Sequence, residues 1–215
     1  MKDYIKVPQD IEKRSFEIIG EELGEKVNNF DEKTLPIVKR VIHTTADFEY
    51  ADLIEFKNNA IESAMEALKG GCKIYCDTNM IVNGLSKMVL GKFDCKAYCL
   101  VSDPEVIKEA KSRGVTRSIV GMEKAGKDPE TKIFLIGNAP TALYKLKEMI
   151  EKNEIEKPML VVGVPVGFVG AAESKEVFKG LDVPYITING RKGGSTVAVS
   201  ILHGILYQMY KREGF

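Results

Sequence analysis

The chain has 215 residues, of which 44% are hydrophobic and 29% are charged, so it is long enough to bury a substantial core. Its 31 basic residues balance 31 acidic ones, which excludes a strong net field that would recruit nucleic acid or an anionic membrane. No apolar run approaches the ~20 residues of a membrane span, and the N-terminus lacks the apolar region of a secretory signal. We expect a cytoplasmic protein with no nucleic-acid or membrane partner.

The first seventy residues have helical spacing at residues 11–22, 35–42 and 58–68, and no strand is predicted between these segments. Gly70-Gly71 ends this part, but no Pro/Gly/Ser-rich linker separates it from the rest. We predict a single domain over residues 1–215, in which residues 1–70 form a helical extension packed on a core of residues 71–215.

Five short apolar runs follow, and a segment of helical character succeeds each of them. They predict strands at residues 73–76, 97–101, 132–136, 159–162 and 185–188. The intervening helices are predicted at residues 77–89, 104–113, 141–152, 171–178 and 195–210, with Asp103-Pro104 and Asn138-Ala139-Pro140 as start signals and Gly114 as a stop. This alternation predicts an α/β fold: a flavodoxin-like, doubly wound, parallel five-stranded sheet covered by helices on both faces.

A glycine-rich stretch, GVPVGFVGAAESKE at residues 163–176, directly follows the fourth apolar run. Gly163, Gly167 and Gly170 permit positive φ or a close approach of the backbone to another group. Ligands of α/β proteins bind in loops at the carboxyl ends of strands, so this stretch predicts a binding site.

The four cysteines form two like-spaced pairs, Cys72 with Cys76 and Cys95 with Cys99, a spacing that zinc sites also use. Each pair lies in or beside a predicted strand, where residues four apart share a face, and no histidine is near in sequence. We therefore expect core thiols, without a bound metal and without disulfides.

Of the two histidines, His43 follows the apolar helical run 37–42 and precedes hydroxyl groups and Asp47. It is predicted at a helix C-terminus, where the helix dipole favours an imidazolium. The local sequence leaves two interpretations open, a capping residue or a proton donor. His203 lies on or beside the apolar stripe of the last predicted helix and is interpreted as a packing residue.

A second candidate site, Gly190 to Thr196 (GRKGGST), lies between the last predicted strand and the last helix. Exposed N–H groups at a helix N-terminus and two basic residues suit an anion, either a carboxylate or a phosphate. The segment is neither a Walker A loop nor a dinucleotide fingerprint, and a tight turn with a solvated basic pair is the alternative.

Two arginine-containing segments, Arg14-Ser15 and Thr116-Arg117-Ser118, are further candidates because arginine binds carboxylates in a bidentate manner. The alternative for each is a surface ion pair with a neighbouring glutamate. No carboxylate pair, Gly-x-Ser-x-Gly elbow or Cys–His arrangement indicates a hydrolase. The residues alone predict an α/β enzyme or binding protein for an anionic small molecule, with His43 as a candidate acid.

Taken together and in order, segments over nearly the whole chain resemble the precorrin-8X or cobalt-precorrin-8 methylmutases of cobalamin biosynthesis. The segments GNAPTAL at residues 137–143 and GVPVGFVGAAESK are highly specific. The remaining matching pieces are Arg14-Ser15-Phe16 with Ile18-Ile19, Arg40-Val41-Ile42-His43, Cys76-Asp77 with Met80 and Gly84, Thr116-Arg117-Ser118, and Gly190-Arg191 with Gly193-Gly194-Ser195.

The resemblance implies an isomerase that moves a methyl group from carbon eleven to carbon twelve of a corrinoid, giving hydrogenobyrinate or its cobalt counterpart, cobyrinate. It also implies no dissociable cofactor and a homodimer with the site near the subunit interface. The family's catalytic histidine falls on His43, as proton donor and acceptor, its substrate-contacting serine on Ser15, and its Thr-Arg-Ser arginine on Arg117. The full set expected to bind substrate is Ser15, Arg14, Arg117, Gly193, Gly194 and Ser195.

Two alternatives from other functional classes stay open: a non-catalytic tetrapyrrole or corrinoid carrier, and a phosphate-binding α/β protein that uses Gly193-Gly194-Ser195. Residues 44–50 receive no role from the sequence. A substrate cobalt ion would be chelated by the macrocycle and leave no ligand pattern in the protein, and of the two substrates we expect the cobalt form.

Overall fold

A computed structural model describes residues 6–210; the ends of the predicted domain, residues 1–5 and 211–215, lie outside the described residues. The strands are β1 (Ile54–Lys57), β2 (Lys73–Cys76), β3 (Lys96–Tyr98), β4 (Thr131–Ile136), β5 (Leu160–Gly163) and β6 (Tyr185–Ile188). The α-helices are α1 (Pro8–Leu23), α2 (Thr34–Thr45), α3 (Tyr50–Leu53), α4 (Ala60–Lys69), α5 (Asn79–Gly84), α6 (Lys87–Gly91), α7 (Pro104–Arg113), α8 (Arg117–Gly126), α9 (Pro140–Glu151), α10 (Ala171–Phe178) and α11 (Ser195–Met209), and a 3-10 helix spans Gly24–Asn29.

The strands form one mixed sheet in the order β1-β6-β5-β4-β2-β3. Strands β2 to β6 pair in parallel, whereas β1 pairs antiparallel with β6, with Ile54 opposite Ile188. Consecutive strands are added on one side from β2 to β3 and on the other side from β4 to β6. The strand order therefore reverses between β2 and β4, and ligands of open α/β sheets bind at such a point.

Helices cover both faces of the sheet, which explains the nearly continuous apolar runs of the central strands. Ile133 and Leu135 of β4 belong to the core shared with α2, α4 and α11. Phe134 and Ile136, which alternate with them, belong to the core shared with α8, α9 and α10. Helix α2 contacts α11 and contributes the fully buried Ile37 to the first of these cores. None of the helices within residues 6–210 has the length and apolarity of a membrane span.

The prediction of five strands, with none in the first seventy residues, was wrong, because Ile54–Lys57 forms a sixth strand, β1. This strand has only four residues, and a run that short carries little periodicity. Its stability comes from pairing with β6, more than a hundred residues later, and no local pattern encodes such a partner.

The single helix predicted at residues 77–89 was also wrong, because the segment forms two short helices, α5 and α6. Each has its own side-chain cap: Thr78 accepts from the backbone of Ile81, and Ser86 from that of Val89. The chain is extended at Leu85 between them. The start and stop signals of α7 are confirmed, since Asp103 caps it and Gly114 ends it in the left-handed conformation.

Three of the cysteines, Cys72, Cys76 and Cys95, are buried as predicted, whereas Cys99 is only partly buried. The sulfur atoms of Cys72 and Cys95 are 3.9 Å apart. Within residues 6–210, no group of three or more histidine, cysteine or acidic side chains could hold a metal ion.

Candidate active site

A buried carboxylate stands at the point where the strand order reverses. Asp77 follows β2 and is 2% exposed. It accepts hydrogen bonds from the backbone N–H groups of Gly137 (3.0 Å), Asn138 (2.8 Å) and Ala139 (2.7 Å), which follow β4. Burial raises the pKa of Asp77, and these hydrogen bonds oppose that effect. Asp77 thus occupies the N-terminus of α9, the helix that Asn138 was predicted to cap, and closes it to an anionic ligand.

The N-terminus of α11 lies beside this carboxylate and remains open. Ser195 Oγ is 2.9 Å from Thr78 Oγ1, which joins the start of α11 to the end of β2. A Cβ on Gly137 would lie 2.7 Å from Ser195 Cα, so only glycine permits this approach. Gly194, the N-cap residue, offers no side-chain cap. The first N–H groups of α11 are therefore available to an anion.

The turn at residues 190–194 packs directly on the glycine-rich loop at residues 163–170. The Gly194 N–H donates to the Val164 carbonyl (2.8 Å), and the Gly167 N–H donates to the Arg191 carbonyl (3.2 Å). Gly193 has φ 149°, and a Cβ there would lie 2.2 Å from the Val164 oxygen. The sequence predicted that the backbone of the glycine-rich loop approaches another group closely, and in the structure that group is the 190–194 turn.

The two basic residues of the turn have different surroundings. The ammonium group of Lys192 contacts Glu49 (2.7 Å) and also the carboxylate of Asp47. Lys192 is therefore not the free anion ligand that the sequence indicated. The guanidinium of Arg191 is exposed and lies 5.5 Å from the ring centroid of Phe168. No carboxylate within residues 6–210 pairs with Arg191.

His43 lies in the last turn of α2, as predicted, and its side chain is exposed. Its ring stacks on Phe16 of α1, with centroids 5.2 Å apart and an interplanar angle of 10°. No residue among 6–210 forms a hydrogen bond with the imidazole, so the capping interpretation finds no support from a side-chain contact. Ala46, in the left-handed conformation, ends the helix instead. The contact between Asp47 and Lys192 then places this end of α2 near the 190–194 turn.

Arg14 and Ser15 lie on α1, next to the phenylalanine that stacks on His43. Ser15 Oγ donates to the carbonyl oxygen one turn earlier (2.9 Å). Arg14 pairs with Glu17 and Glu21, each at 3.3 Å, which is the surface pairing that the sequence offered as an alternative. Exposed pairs of this kind contribute about 0–1 kcal/mol and are readily exchanged.

Arg117 lies on the other side of the reversal point, at the start of α8. Thr116 Oγ1 is 3.0 Å from Thr141 Oγ1 of α9, which fixes the two helix starts side by side. Arg117 donates to the Val101 carbonyl (3.3 Å) and lines an open cavity of about 580 Å³ together with Ser118. No hydrogen bond, ion pair or ring contact within the described part of the chain joins Arg117 to His43.

The arginines of residues 6–210 fall into two groups. Arg14, Arg40 and Arg113 pair with glutamates. Arg117 and Arg191 have no carboxylate partner among the described residues; Arg191 follows β6, and Arg117 contacts Val101 in the loop that follows β3. The sequence indicated Arg117 as a candidate but could not distinguish Arg191 from Lys192. Only the fold shows that Lys192 is the one of these two that pairs with carboxylates.

Large apolar side chains are exposed at the same edge of the sheet. Val166, Phe168 and Val169 of the glycine-rich loop are 47%, 84% and 90% exposed, and Met80, after β2, is 63% exposed. Such a group next to unpaired cations suits a ligand that has an apolar face and anionic arms. His203, in contrast, accepts a hydrogen bond from the Ser86 backbone (3.1 Å), in agreement with its predicted packing role.

A model of the family described as "Precorrin-8X methylmutase" matches residues 10–208. The chain belongs to the precorrin-8X methylmutase family. Among its relatives, a cobalt-precorrin-8 methylmutase of Leptospira interrogans is 44% identical over 99% of both chains. A precorrin-8X methylmutase of Pseudomonas aeruginosa is 36% identical over 95% of this chain and 98% of the other. A solved precorrin-8X methylmutase from Thermus thermophilus has a TM-score of 0.84 and 38% identity, and covers 92% of this chain and 94% of its own.

Membership in the precorrin-8X methylmutase family makes the protein an isomerase for the methyl-shift step of cobalamin biosynthesis. The resemblance expected from the sequence motifs is thereby confirmed. The family also accounts for the missing hydrolytic groups, because an intramolecular methyl shift requires no nucleophilic side chain.

Proposed function

We propose that His43 serves as proton donor and acceptor while a methyl group moves from carbon eleven to carbon twelve of a corrinoid. One observation carries this proposal: His43 presents an exposed imidazole, without a hydrogen-bond partner among residues 6–210, in a methylmutase chain. Donation of a proton to the macrocycle withdraws charge as the methyl group migrates, and its return restores the catalyst, so the isomerisation neither gains nor loses protons. The proposed reaction uses no dissociable cofactor.

The carboxylate arms of the substrate would bind to the cationic and N–H groups at the carboxyl edge of the sheet. Arg117 and Arg191 are suited to this role because no described carboxylate competes for them. Gly193, Gly194 and Ser195 present the open N-terminus of α11. Arg14 and Ser15 would bind an arm on the His43 side, with Arg14 exchanging its surface glutamates for the substrate.

The flat face of the macrocycle would lie against the apolar side chains of the same edge. Phe168 and Val169 are the most exposed of these, and Arg191 stands over the Phe168 ring. The order of the parallel strands, β3-β2-β4-β5-β6, supports a flavodoxin-like classification with β1 as an added edge strand. The apolar core shared by α2, α11 and the sheet supports a single domain.

We propose a cytoplasmic homodimer, as the family resemblance implies, with the exposed loop at residues 163–170 near the subunit interface. The exposure of Phe168 and Val169 supports an interaction surface at this loop. Light scattering at several concentrations tests the proposal, and a mass of one chain at all of them would contradict it.

The cobalt-containing corrinoid is the proposed physiological substrate. Relatives of Leptospira interrogans and Salmonella typhimurium that are named cobalt-precorrin-8 methylmutases are 44% and 42% identical to this chain, and relatives of either name occur at 36% identity. Comparison of kcat/KM on cobalt-loaded and metal-free substrate tests the proposal. A higher value on the metal-free compound would overturn it.

Substitution of His43 tests the acid–base role. We expect His43→Ala to lower kcat by about 10²–10⁴-fold, the usual contribution of a general acid–base group, and to leave the fold intact because the side chain is exposed. His203→Gln is the matched control, since it keeps an acceptor for the Ser86 amide. The absorption spectrum of the corrinoid reports turnover, and circular dichroism reports folding. Near-normal turnover by His43→Ala would exclude the role, and an unchanged substrate spectrum with the native chain would indicate a carrier.

A further inference from the structure

A lysine joins the segment that follows His43 to the 190–194 turn, beside a hydrogen bond between Tyr50 and the Gly193 backbone. Lys192 of the 190–194 turn reaches across to Asp47 and to Glu49, whose carboxylate lies 2.7 Å from its ammonium group. The Asp47 carboxylate also accepts from the Glu49 backbone N–H (2.9 Å), so the two acids are held together. The hydrogen bond to Asp47, followed by that to Glu49, raises the pKa of Lys192, which keeps the ammonium charged. This contact gives a role to residues that the sequence left unassigned.

A second lysine holds the main chain of the first. Lys175, in α10, is 1% exposed, and its ammonium group donates to the Lys192 carbonyl (2.8 Å). Burial, assisted by repulsion from Lys179, lowers the pKa of Lys175 to about 8. Burying an ammonium group is expensive unless the group forms a hydrogen bond. Here that hydrogen bond is to a single backbone carbonyl of the 190–194 turn.

We propose that Lys175 and Lys192 are positioning residues, a two-lysine bridge that fixes His43 relative to the 190–194 turn. The bridge begins at α10, where the Lys175 ammonium group donates to the Lys192 carbonyl. The Lys192 side chain then contacts the Asp47 and Glu49 carboxylates, which follow the end of α2. The inference rests on the proposed role of His43 as the acid and of the turn as the substrate carboxylate site. Neither lysine is assigned a substrate contact, because Lys175 is buried and Lys192 is neutralised by two acids.

If the bridge positions His43, a variant that breaks it should have a lower kcat but nearly unchanged substrate affinity. Lys192→Met removes the contacts to Asp47 and Glu49, while Lys175 and the Gly194–Val164 hydrogen bond still hold the turn. We expect kcat to fall about 10–100-fold, as for a displaced catalytic group, with the substrate Kd changed by less than about threefold. Lys192→Arg, which can still reach both acids, should recover most of the rate. Lys157→Met, on a lysine paired with Asp182 at the opposite edge, is the control.

The double variant Asp47→Asn, Glu49→Gln tests the same contacts from the other end. The side chains of Asp47 and Glu49 are 34% and 58% exposed, so the isosteric amides should leave the fold unchanged. The same fall in kcat is expected, with a native melting curve. A kcat equal to that of the native chain in both Lys192→Met and the double variant would overturn the bridge. So would a rise in Kd that accounts for the whole loss of kcat/KM.

A measurement on the free protein separates this inference from the acid role. The chain has two histidines, so the ring resonances of His43 can be assigned by NMR with the His43→Ala variant. The ring current of Phe16, on which His43 stacks, changes the chemical shifts of these resonances. A displacement of the end of α2 would therefore change them again. We expect Lys192→Met to move the His43 resonances and Lys192→Arg to restore them, with His203 unaffected. If the His43→Ala variant remains active, His43 is not the acid, whatever the NMR spectra of the Lys192 variants show. Unchanged His43 resonances in Lys192→Met would remove the bridge and leave the acid role standing.

Discussion

Cationic side chains lie at both ends of the central sheet, but their partners differ. At the amino ends of the strands, Lys73, Lys132 and Lys157 each lie within 3.2 Å of a carboxylate oxygen. At the carboxyl ends, Arg117 and Arg191 have no carboxylate partner within residues 6–210. Cations that the fold itself neutralises contribute to solubility, whereas cations left unpaired are available to the anionic groups of a ligand. The unpaired arginines therefore support the proposed binding of substrate at the carboxyl end.

Cavity size does not make this distinction. A cavity of about 480 Å³ at the amino edge is lined by Lys73 and Lys96, among others, and the cavity at Arg117 measures about 580 Å³. Within residues 6–210, only the carboxyl edge combines unpaired guanidinium groups, an open helix N-terminus and exposed aromatic surface. Chemistry, rather than volume, separates the two edges.

The largest effect is expected where the turn and the glycine-rich loop meet at the carboxyl edge. Gly193→Ala would place a Cβ 2.2 Å from the Val164 oxygen at φ 149°, so the turn must move. We expect a loss of about 3 kcal/mol in the free energy of unfolding, and substrate affinity should fall with it. Urea unfolding and ligand titration measure the two effects.

Gly190→Ala is the matched control for this substitution. Gly190 also has a positive φ, 72°, but nothing lies within 4 Å of its Cβ position. Left-handed strain alone should cost about 1 kcal/mol and leave substrate affinity nearly unchanged. Equal losses in the two variants would show that strain, and not contact between the loops, dominates.

The pH dependence of stability should distinguish the buried lysine beneath the carboxyl edge from the paired lysines of the amino edge. Ion pairing raises the pKa of Lys73, whereas burial lowers that of Lys175 to about 8 from an ordinary 10.5. Between pH 8 and pH 10.5, Lys175 is therefore largely protonated in the unfolded chain and largely deprotonated in the folded chain. Stability from this group therefore rises as the pH increases from about 8 to 10.5, by up to roughly 3 kcal/mol, and is lowest below pH 8.

Lys175→Met should abolish this rise. Thiols and tyrosines also titrate in alkaline solution, so the informative quantity is the difference in unfolding free energy between the native chain and the variant at pH 7 and at pH 10. A difference that does not change between these two pH values would show that Lys175 keeps an ordinary pKa.

Removal of the unpaired arginines should weaken binding at the carboxyl edge by a smaller amount. Arg117→Ala and Arg191→Ala each remove one charge-assisted contact, for which we expect about tenfold weaker corrinoid binding. The free protein should lose little stability, because neither guanidinium forms an ion pair within the described residues. Titration at low and high salt checks the assignment, since the native affinity should depend on salt more steeply than that of either variant. Unchanged affinity in both variants would remove the carboxyl edge as the carboxylate site.

Much of the parallel sheet and its helices could be predicted from sequence, because local patterns encode them. The strands at residues 73–76 and 185–188 match their predicted bounds, and Asp103 and Gly114 delimit α7 as expected. What failed depended on distant partners or on local caps that compete with periodicity. Strand β1 exists through its pairing with β6, and the caps at Thr78 and Ser86 divide a segment whose apolar spacing predicted one helix.

The same limit applies to the candidate site. His43 could be placed at a helix end because the run before it and the hydroxyl residues after it are local signals. The difference between Arg191 and Lys192 could not be predicted, since the acid that binds Lys192 lies 145 residues earlier in the chain. The burial of Lys175 was equally inaccessible, because the spacing of a short helix does not show which polar residue faces a carbonyl of another loop.

The smallest effect is expected at Lys157 on the amino edge, whose charge is already paired. Lys157 contacts Asp182 at 2.9 Å, and the two side chains are 58% and 88% exposed. Water screens a pair this exposed, so Lys157→Met should change the free energy of unfolding by less than about 0.5 kcal/mol. It should leave corrinoid affinity and kcat at native values, because the proposed carboxylate sites lie at the other end of the sheet. Calorimetry and steady-state kinetics on one preparation measure both, and a tenfold loss of affinity here would show that the amino edge also binds substrate.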